Sequence, residues 1–236
     1  MDPLMISAAS GMKARMESLD MLANNVANTG TAGFKADREF YSVFHSELPM
    51  VEKQWTDFSQ GTLQPTGNSL DLALDGKGFF ALTSPGGVVY TRNGNFQISR
   101  ANQLATAEGF TLRNTRNNGQ PIAVDPERAV DIDKAGIVRQ NGQEVGQIEI
   151  AGFGNAATEL GKMGSSYFAR IEGSAAPGAA PEAQVKQGAI EQSNVPVTDS
   201  AVRLVGVMRQ FEMMQRAMSV GSEMNKRAMD EVARVN

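Results

Sequence analysis

Apolar residues return every seven positions at the two ends of the chain and every second position between them. Over residues 3–27, Gly11 is the only glycine and no proline follows Pro3. Met5, Met12, Leu19 and Val26 fall on one heptad register, with Ala8, Ala9, Met16, Leu22 and Ala23 on the same face. This spacing predicts an amphipathic helix with a coiled-coil-like seam. Near the other end Val197, Leu204, Phe211, Met218 and Val232 share a second register, flanked by Val207, Met208, Met214, Gly221 and Ala228 and interrupted by Asn225. Two terminal helices with compatible seams predict a paired stalk.

The first helix carries boundary signals. Asp2 is placed to cap it and Pro3 to occupy its first turn, where a missing N–H costs nothing. At its end Asn28-Thr29-Gly30 predicts a stop, with Gly30 in the left-handed conformation. From Gly33 and Phe34 to about Gln60 no period is visible. That stretch reads as an irregular transition anchored by Tyr41, Phe44, His45 and Trp55.

Over residues 62–172 the period is two. Leu70, Leu72 and Leu74 alternate with Asp71 and Asp75, placing leucines on one strand face and carboxylates mostly on the other. Residues 79–83 and 88–92 flank Pro85-Gly86-Gly87, a hairpin signal, and Asn93-Gly94, Asn118-Gly119 and Asn141-Gly142 are further turn dipeptides. The middle is therefore antiparallel β, a meander or small barrel. Residues 173–182, GSAAPGAAPE, hold too few large apolar groups to pack and read as an exposed flexible loop. Gln60-Gly61-Thr62-Leu63-Gln64 echoes Gln187-Gly188-Ala189-Ile190-Glu191, which predicts neighbouring strands at the base of the β region. The expected fold class is α+β: an N-terminal helix with hinge (1–35), a mainly β core (36–195) and a C-terminal helix (196–236).

Composition narrows the chemistry. A net charge of −4 supplies no clustered cations for phosphate, so nucleic acid is not an expected partner. No run approaches the ~20 apolar residues of a membrane span, and no cleaved signal peptide is recognisable. With no cysteine and one histidine, His45, thiolate chemistry and multi-histidine metal cages are excluded. Asp71 and Asp75 are the best candidates for an acid–base pair, yet no basic or metal-binding residue lies near them in sequence, so a solvated strand face is expected. Gly76-Lys77-Gly78 lacks the frame of a phosphate loop and reads as a turn. No cofactor is expected. Eleven of the thirteen methionines lie in the two terminal arms. Met213 and Met224 fall off the main seam, which predicts more than one buried face per helix and an interface with non-identical neighbours.

Residues 23–35, ANNVANTGTAGFK, resemble the signature that ends the N-terminal helix of bacterial flagellar rod and hook proteins. TGNSLDLALDGKGFFAL (66–82) and YTRNGNF (90–96) are similar to that family's core-domain motif, and GAIEQSNVPVTDSAVRLVGVMRQFEMMQRAM (188–218) resembles its C-terminal step and helix. Within the family, the opening MDPLMISAASGM and RQFEMM at 209–214 look most like the proximal rod branch, with the distal branch as the alternative. Two readings come from other classes: an assembly enzyme, such as a peptidoglycan-cutting hydrolase fused to a rod-like module, and a stalked adhesin or partner-binding module. The resemblance implies a structural subunit of the periplasm-spanning rod, exported by the flagellar type III apparatus with or without a chaperone and joined to other rod proteins and to copies of itself. It implies no membrane insertion and no catalysis. Its assembly surface is expected at Met5, Met12, Leu19, Asn24, Asn25, Val26, Asn28, Leu204, Phe211, Met218 and Val232, with a hinge at Gly30 and Gly33.

Overall fold

The computed structural model describes residues 3–42, 50–164 and 166–234, and the side chains of 3–9, 40–42, 50–53, 225, 228–229 and 231–234 fall outside that description. Asp2, Phe44 and His45, and the side chains of Met5, Ala8, Ala9, Tyr41, Asn225, Ala228 and Val232, therefore lie outside the described residues. The fold is α+β. The chain forms two compact units, one from Met1–Ala27, Asp37–Trp55 and Pro196–Asn236, the other from Asn28–Ala36 and Thr56–Val195. It therefore passes between them four times, after Ala27, Ala36, Trp55 and Val195, rather than once at residue 35.

The helical unit holds the N-terminal helix, Pro3–Ala27, the C-terminal helix, Val197–Arg234, and a two-stranded sheet of β1 (Asp37–Ser42) and β2 (Met50–Thr56). This sheet stands where an irregular transition was expected. The N-terminal helix lies against both the C-terminal helix and β1. Along it the buried line is Gly11, Ala14, Ser18, Leu22 and Asn25, one step away from the predicted seam, whereas Met12, Leu19 and Val26 are half-buried and Met16 and Ala23 are exposed. Small residues at three- and four-residue spacing let a neighbouring backbone come close, so the tightest contact follows them rather than the large side chains. On the C-terminal helix Leu204, Val207, Phe211, Met214, Met218 and Gly221 are half-buried at alternating spacings of three and four, while Val197 and Met208 are exposed. No described helix is long and apolar enough to cross a membrane.

The β unit begins with β3 (Leu63–Pro65), β4 (Leu72–Asp75) and the hairpin of β5 (Phe79–Ser84) and β6 (Gly87–Thr91). Short strands β7 (Gln97–Ile98), β8 (Leu104–Ala105) and β9 (Thr111–Leu112) follow, then a meander of β10 (Asp131–Ile132), β11 (Ile137–Gln140) and β12 (Gln143–Gln147). The chain closes with β13 (Ile150–Gly152), β14 (Leu160–Lys162), β15 (Tyr167–Arg170), β16 (Gly178–Ala179), β17 (Gln184–Gln187) and β18 (Ala189–Glu191). The main sheet runs β14-β15-β6-β5-β9-β8-β7, and every described pairing is antiparallel. The echoed pentapeptides do meet: β3 pairs with β18, setting Leu63 opposite Glu191 and Gln64 opposite Ile190.

Three local readings change. In β4, Ala73 is as buried as Leu72 and Leu74, because β17 pairs along it and packing covers both faces. Within 173–182, β16 pairs with β13, where Gly152 has no side chain to hold the strands apart. Asn118-Gly119 and Asn141-Gly142 have positive φ at both residues, the geometry of a tight two-residue turn, but Asn93-Gly94 does not. Gly94 instead lies against the backbone of Leu72, whose N–H donates to its carbonyl.

The main core gathers Leu72, Leu74, Phe80, Leu82, Leu104, Leu112, Ile122, Ile148 and Val185 around the strands, and a second cluster stacks Phe58, Phe79, Phe153 and Phe168 edge to face. At the margin of the main core the Tyr167 hydroxyl donates to Glu108, and its ring meets Phe110 edge-on. Burial first, then this hydrogen bond, pushes the Tyr167 phenol up from 10.0 to about 12. A raised acid pKa contributes stability that is present below pH 10 and lost as pH rises towards 12. Tyr167→Phe removes the hydrogen bond to Glu108 and is expected to lower urea-melt stability modestly at neutral pH, and, by removing the buried titrating phenol, to flatten its decline between pH 10 and 12.

Candidate functional site

Three of the four segments that carry the resemblance each bring one charged residue into the interior of the β unit. Lys35 ends the GFK step, Arg92 lies in YTRNGNF, and Glu191 lies in GAIEQSNV. Lys35 and Glu191 are fully buried, and Arg92 is 3% exposed. Lys35 Nζ stands 2.6 Å from Glu191 Oε1 and donates to the Ser59 carbonyl. Arg92 Nη1 stands 3.0 Å from Glu191 Oε2 and also reaches the Leu74 carbonyl, while Nη2 donates to the Gly76 carbonyl. The Gly61 amide completes the shell of Oε1 at 2.9 Å. The guanidinium also sits over the Phe79 ring, 5.3 Å from its centroid.

Burial lowers the Lys35 ammonium below the usual lysine range, with Glu191 opposing the shift, and it lowers Arg92 in the same way. Both cations thus rest on one carboxylate in a site closed to water. Removing one member of such a group costs about 3–5 kcal/mol, since the other charges stay buried without compensation.

Backbone pairing holds the segments around this cluster. The Gly33 amide donates to the Glu191 carbonyl and the Asn194 amide to the Phe34 carbonyl. The Asn194 side chain accepts from the Ala36 amide at 2.7 Å and donates to the Asp57 carbonyl at 2.7 Å, acting as a surrogate peptide group. Lys162 Nζ covers the Phe34 ring at 4.0 Å from the centroid and donates to the Lys35 carbonyl.

Asn25 repeats this device in the helical unit. Its side chain accepts from the Asp37 amide at 3.0 Å and donates to the Asp37 carbonyl at 2.8 Å, and the buried Ser18 hydroxyl donates to Glu39 on the same strand. Asn25 is thereby engaged within the subunit, and Asn24 is exposed. Asn28 is half-buried and accepts from Thr31 through both its carbonyl and its side chain. Gly30 is exposed and does not have positive φ, so it is not the left-handed stop that was expected. Gly33 has φ +68°, and a Cβ there would lie 2.2 Å from the Asn93 amide nitrogen. Its lack of a side chain serves close packing.

Sequence reasoning missed Lys35, Arg92, Glu191 and Asn194, although each lies inside a motif already singled out. Asp71 and Asp75 are occupied structurally. Asp75 forms a 2.6 Å cross-strand ion pair with Lys186, whose hydrogen bond holds its carboxyl below the usual range, and Asp71 accepts from Asn68. No group of three or more potential metal-binding residues occurs among the described residues.

This arrangement binds the two ends of a β domain together and leaves long helices for contact, which is the layout of a structural, assembling protein. Residues 5–35 match the profile described as "Flagella basal body rod protein", 73–140 "Flagellar hook protein FlgE/F/G D1 domain", and 186–231 "Flagellar basal body rod FlgEFG protein C-terminal". The chain is 30% identical to flagellar basal-body rod protein FlgG of Borreliella burgdorferi, over 92% of this chain and 94% of that protein. It is 30% identical to FlgG of Bacillus subtilis over 92% and 94%. Against flagellar basal-body rod protein FlgF of Caulobacter vibrioides it is 29% identical over 99% and 98%. The chain belongs to the flagellar basal-body rod protein family.

Proposed function

We propose that this chain is a structural subunit of the flagellar basal-body rod, of the proximal type, and that it polymerises through its terminal helices into the shaft that carries torque from motor to hook. Its place is the flagellar basal body and its partners are other rod proteins and copies of itself. The same proposal has the chain delivered by the type III export apparatus, with or without a chaperone. The opening MDPLMISAASGM and RQFEMM support the proximal type.

The observation that carries this reading is a second apolar stripe on the C-terminal helix. Val202, Gly206, Met213, Ala217, Val220 and Met224 are all exposed, Val202 by 68% and Met224 by 66%. At 3.6 residues per turn they lie on the side opposite the half-buried line through Phe211. A helix carrying apolar stripes on two sides needs a second neighbour, and head-to-tail contacts between identical subunits that do not close on themselves give helical filaments. The half-buried line already faces the N-terminal helix, so the outer stripe is the surface left for another subunit.

The proposal excludes a peptidoglycan-cutting enzyme. Asp71→Ala and Asp75→Ala are expected to leave motility near normal, because both residues are half-buried at the surface, where the Asp75–Lys186 ion pair and the Asn68–Asp71 hydrogen bond contribute little. Swimming-plate assays of complemented deletion strains check this. Peptidoglycan turnover abolished by either change would contradict it.

A further inference from the structure

We infer that Glu191 is the closing residue of the β unit, and that residues 28–36 and 56–183 cannot complete their fold until the segment 184–195 has joined them. Three observations lead there. First, β4 has β17 as its sheet partner and β3 has β18, so two early strands wait on two late ones. Second, the late segment supplies interior groups. Val185 enters the main core, and the Gln187 side chain accepts from the Ile132 amide and donates to the Ser69 and Val130 carbonyls. Third, the buried charges arrive in a fixed order. Lys35 and Arg92 precede the carboxylate that bonds both, Lys35 by 156 positions and Arg92 by 99. Until Glu191 is present, closing the domain buries two cations without their anion, and the open chain keeps them in water.

A chain that emerges N-terminus first thus keeps its β unit open for most of its length. This deepens the proposed function only in its use, since an exported subunit must stay unfolded in transit. The folding behaviour stands independently of export.

The test is pulsed hydrogen exchange during refolding of the full-length chain. Amides of β5 and β6 are expected to gain protection in the same kinetic phase as those of β17 and β18. An intermediate with β5 and β6 protected while β17 and β18 still exchange freely overturns the inference. Glu191→Gln, nearly isosteric, is expected to lose slow-exchanging amides throughout the β unit. Adding Lys35→Met, which removes one of the two cations, is expected to restore them in part. Wild-type protection in Glu191→Gln alone, or no recovery in the double variant, removes the charge cluster from the mechanism. Because the readout is folding in vitro, a failed rod-assembly assay cannot mimic either result.

Discussion

Gly94→Ala is expected to leave the β unit unfolded, a larger effect than any substitution of an exposed charged residue in that unit. A Cβ on residue 94 would lie 1.5 Å from the Leu72 carbonyl oxygen and 2.6 Å from its carbon, and both are backbone atoms. Neither can swing aside as a side chain tip can. Leu72 is itself fixed, with its side chain in the core, its amide bonded to the Gly94 carbonyl and its strand paired to β17. Relief must come from separating β4 from the 93–95 segment, which also draws Arg92 away from Glu191. The cost therefore falls in the exceptional range above about 4–5 kcal/mol. Gly142→Ala is the matched control. Its φ is +75° with nothing within 4 Å of the added Cβ, so only the conformational penalty of about 1–3 kcal/mol applies. Urea melts of the two variants by circular dichroism separate these values. A Gly94→Ala protein that melts like Gly142→Ala would contradict the close-approach account.

Local signals in the chain carry some parts of this structure and not others. The long helices follow from a seven-residue period sustained over several turns, and the β3–β18 pairing follows from one echoed pentapeptide. The Asn118-Gly119 and Asn141-Gly142 turns follow from two residues each, because left-handed φ is a local property. Gly94 shows the limit of that rule: the same dipeptide serves a close approach whose cause, Leu72, lies 22 positions away. The sheet of β1 and β2 is hidden for a similar reason. Its first strand reads DREFYS, and its position depends on Asn25 and Ser18 of the preceding helix. Lys35 and Glu191 were illegible because a charged residue in a pattern stands for solvent by default. Only the fold brings each its opposite charge.

The predicted helix seam also needs a physical correction. Large apolar residues mark the stripe by size, yet Gly11, Ala14 and Ser18 make the tightest line on the N-terminal helix, since small side chains permit the closest approach. Asn25 ends the same line with both its donor and its acceptor used. The C-terminal helix follows the period more faithfully, from Leu204 to Gly221.

The second large effect separates the two faces of that helix. Phe211→Asp places a carboxylate on the line facing the N-terminal helix and is expected to disturb the isolated subunit as well as the polymer. Met213→Asp and Val220→Asp change only the exposed stripe. They are expected to leave secondary structure and melting unchanged in the purified chain, while each subunit contact in a rod would bury an unpaired carboxylate at a cost of several kcal/mol. The penalty recurs at every copy, so partial assembly is not expected. Glu212→Gln, on an exposed position beside the stripe, is the control and should assemble normally.

The most direct measurement is electron microscopy of basal bodies isolated from a deletion strain that expresses Met213→Asp or Val220→Asp at wild-type levels. If the outer stripe of the C-terminal helix joins subunits in the rod, both strains yield basal bodies with incomplete rods and the cells do not swim, although the purified variants fold like wild type. Complete rods and swimming cells in either strain would contradict assembly through that face.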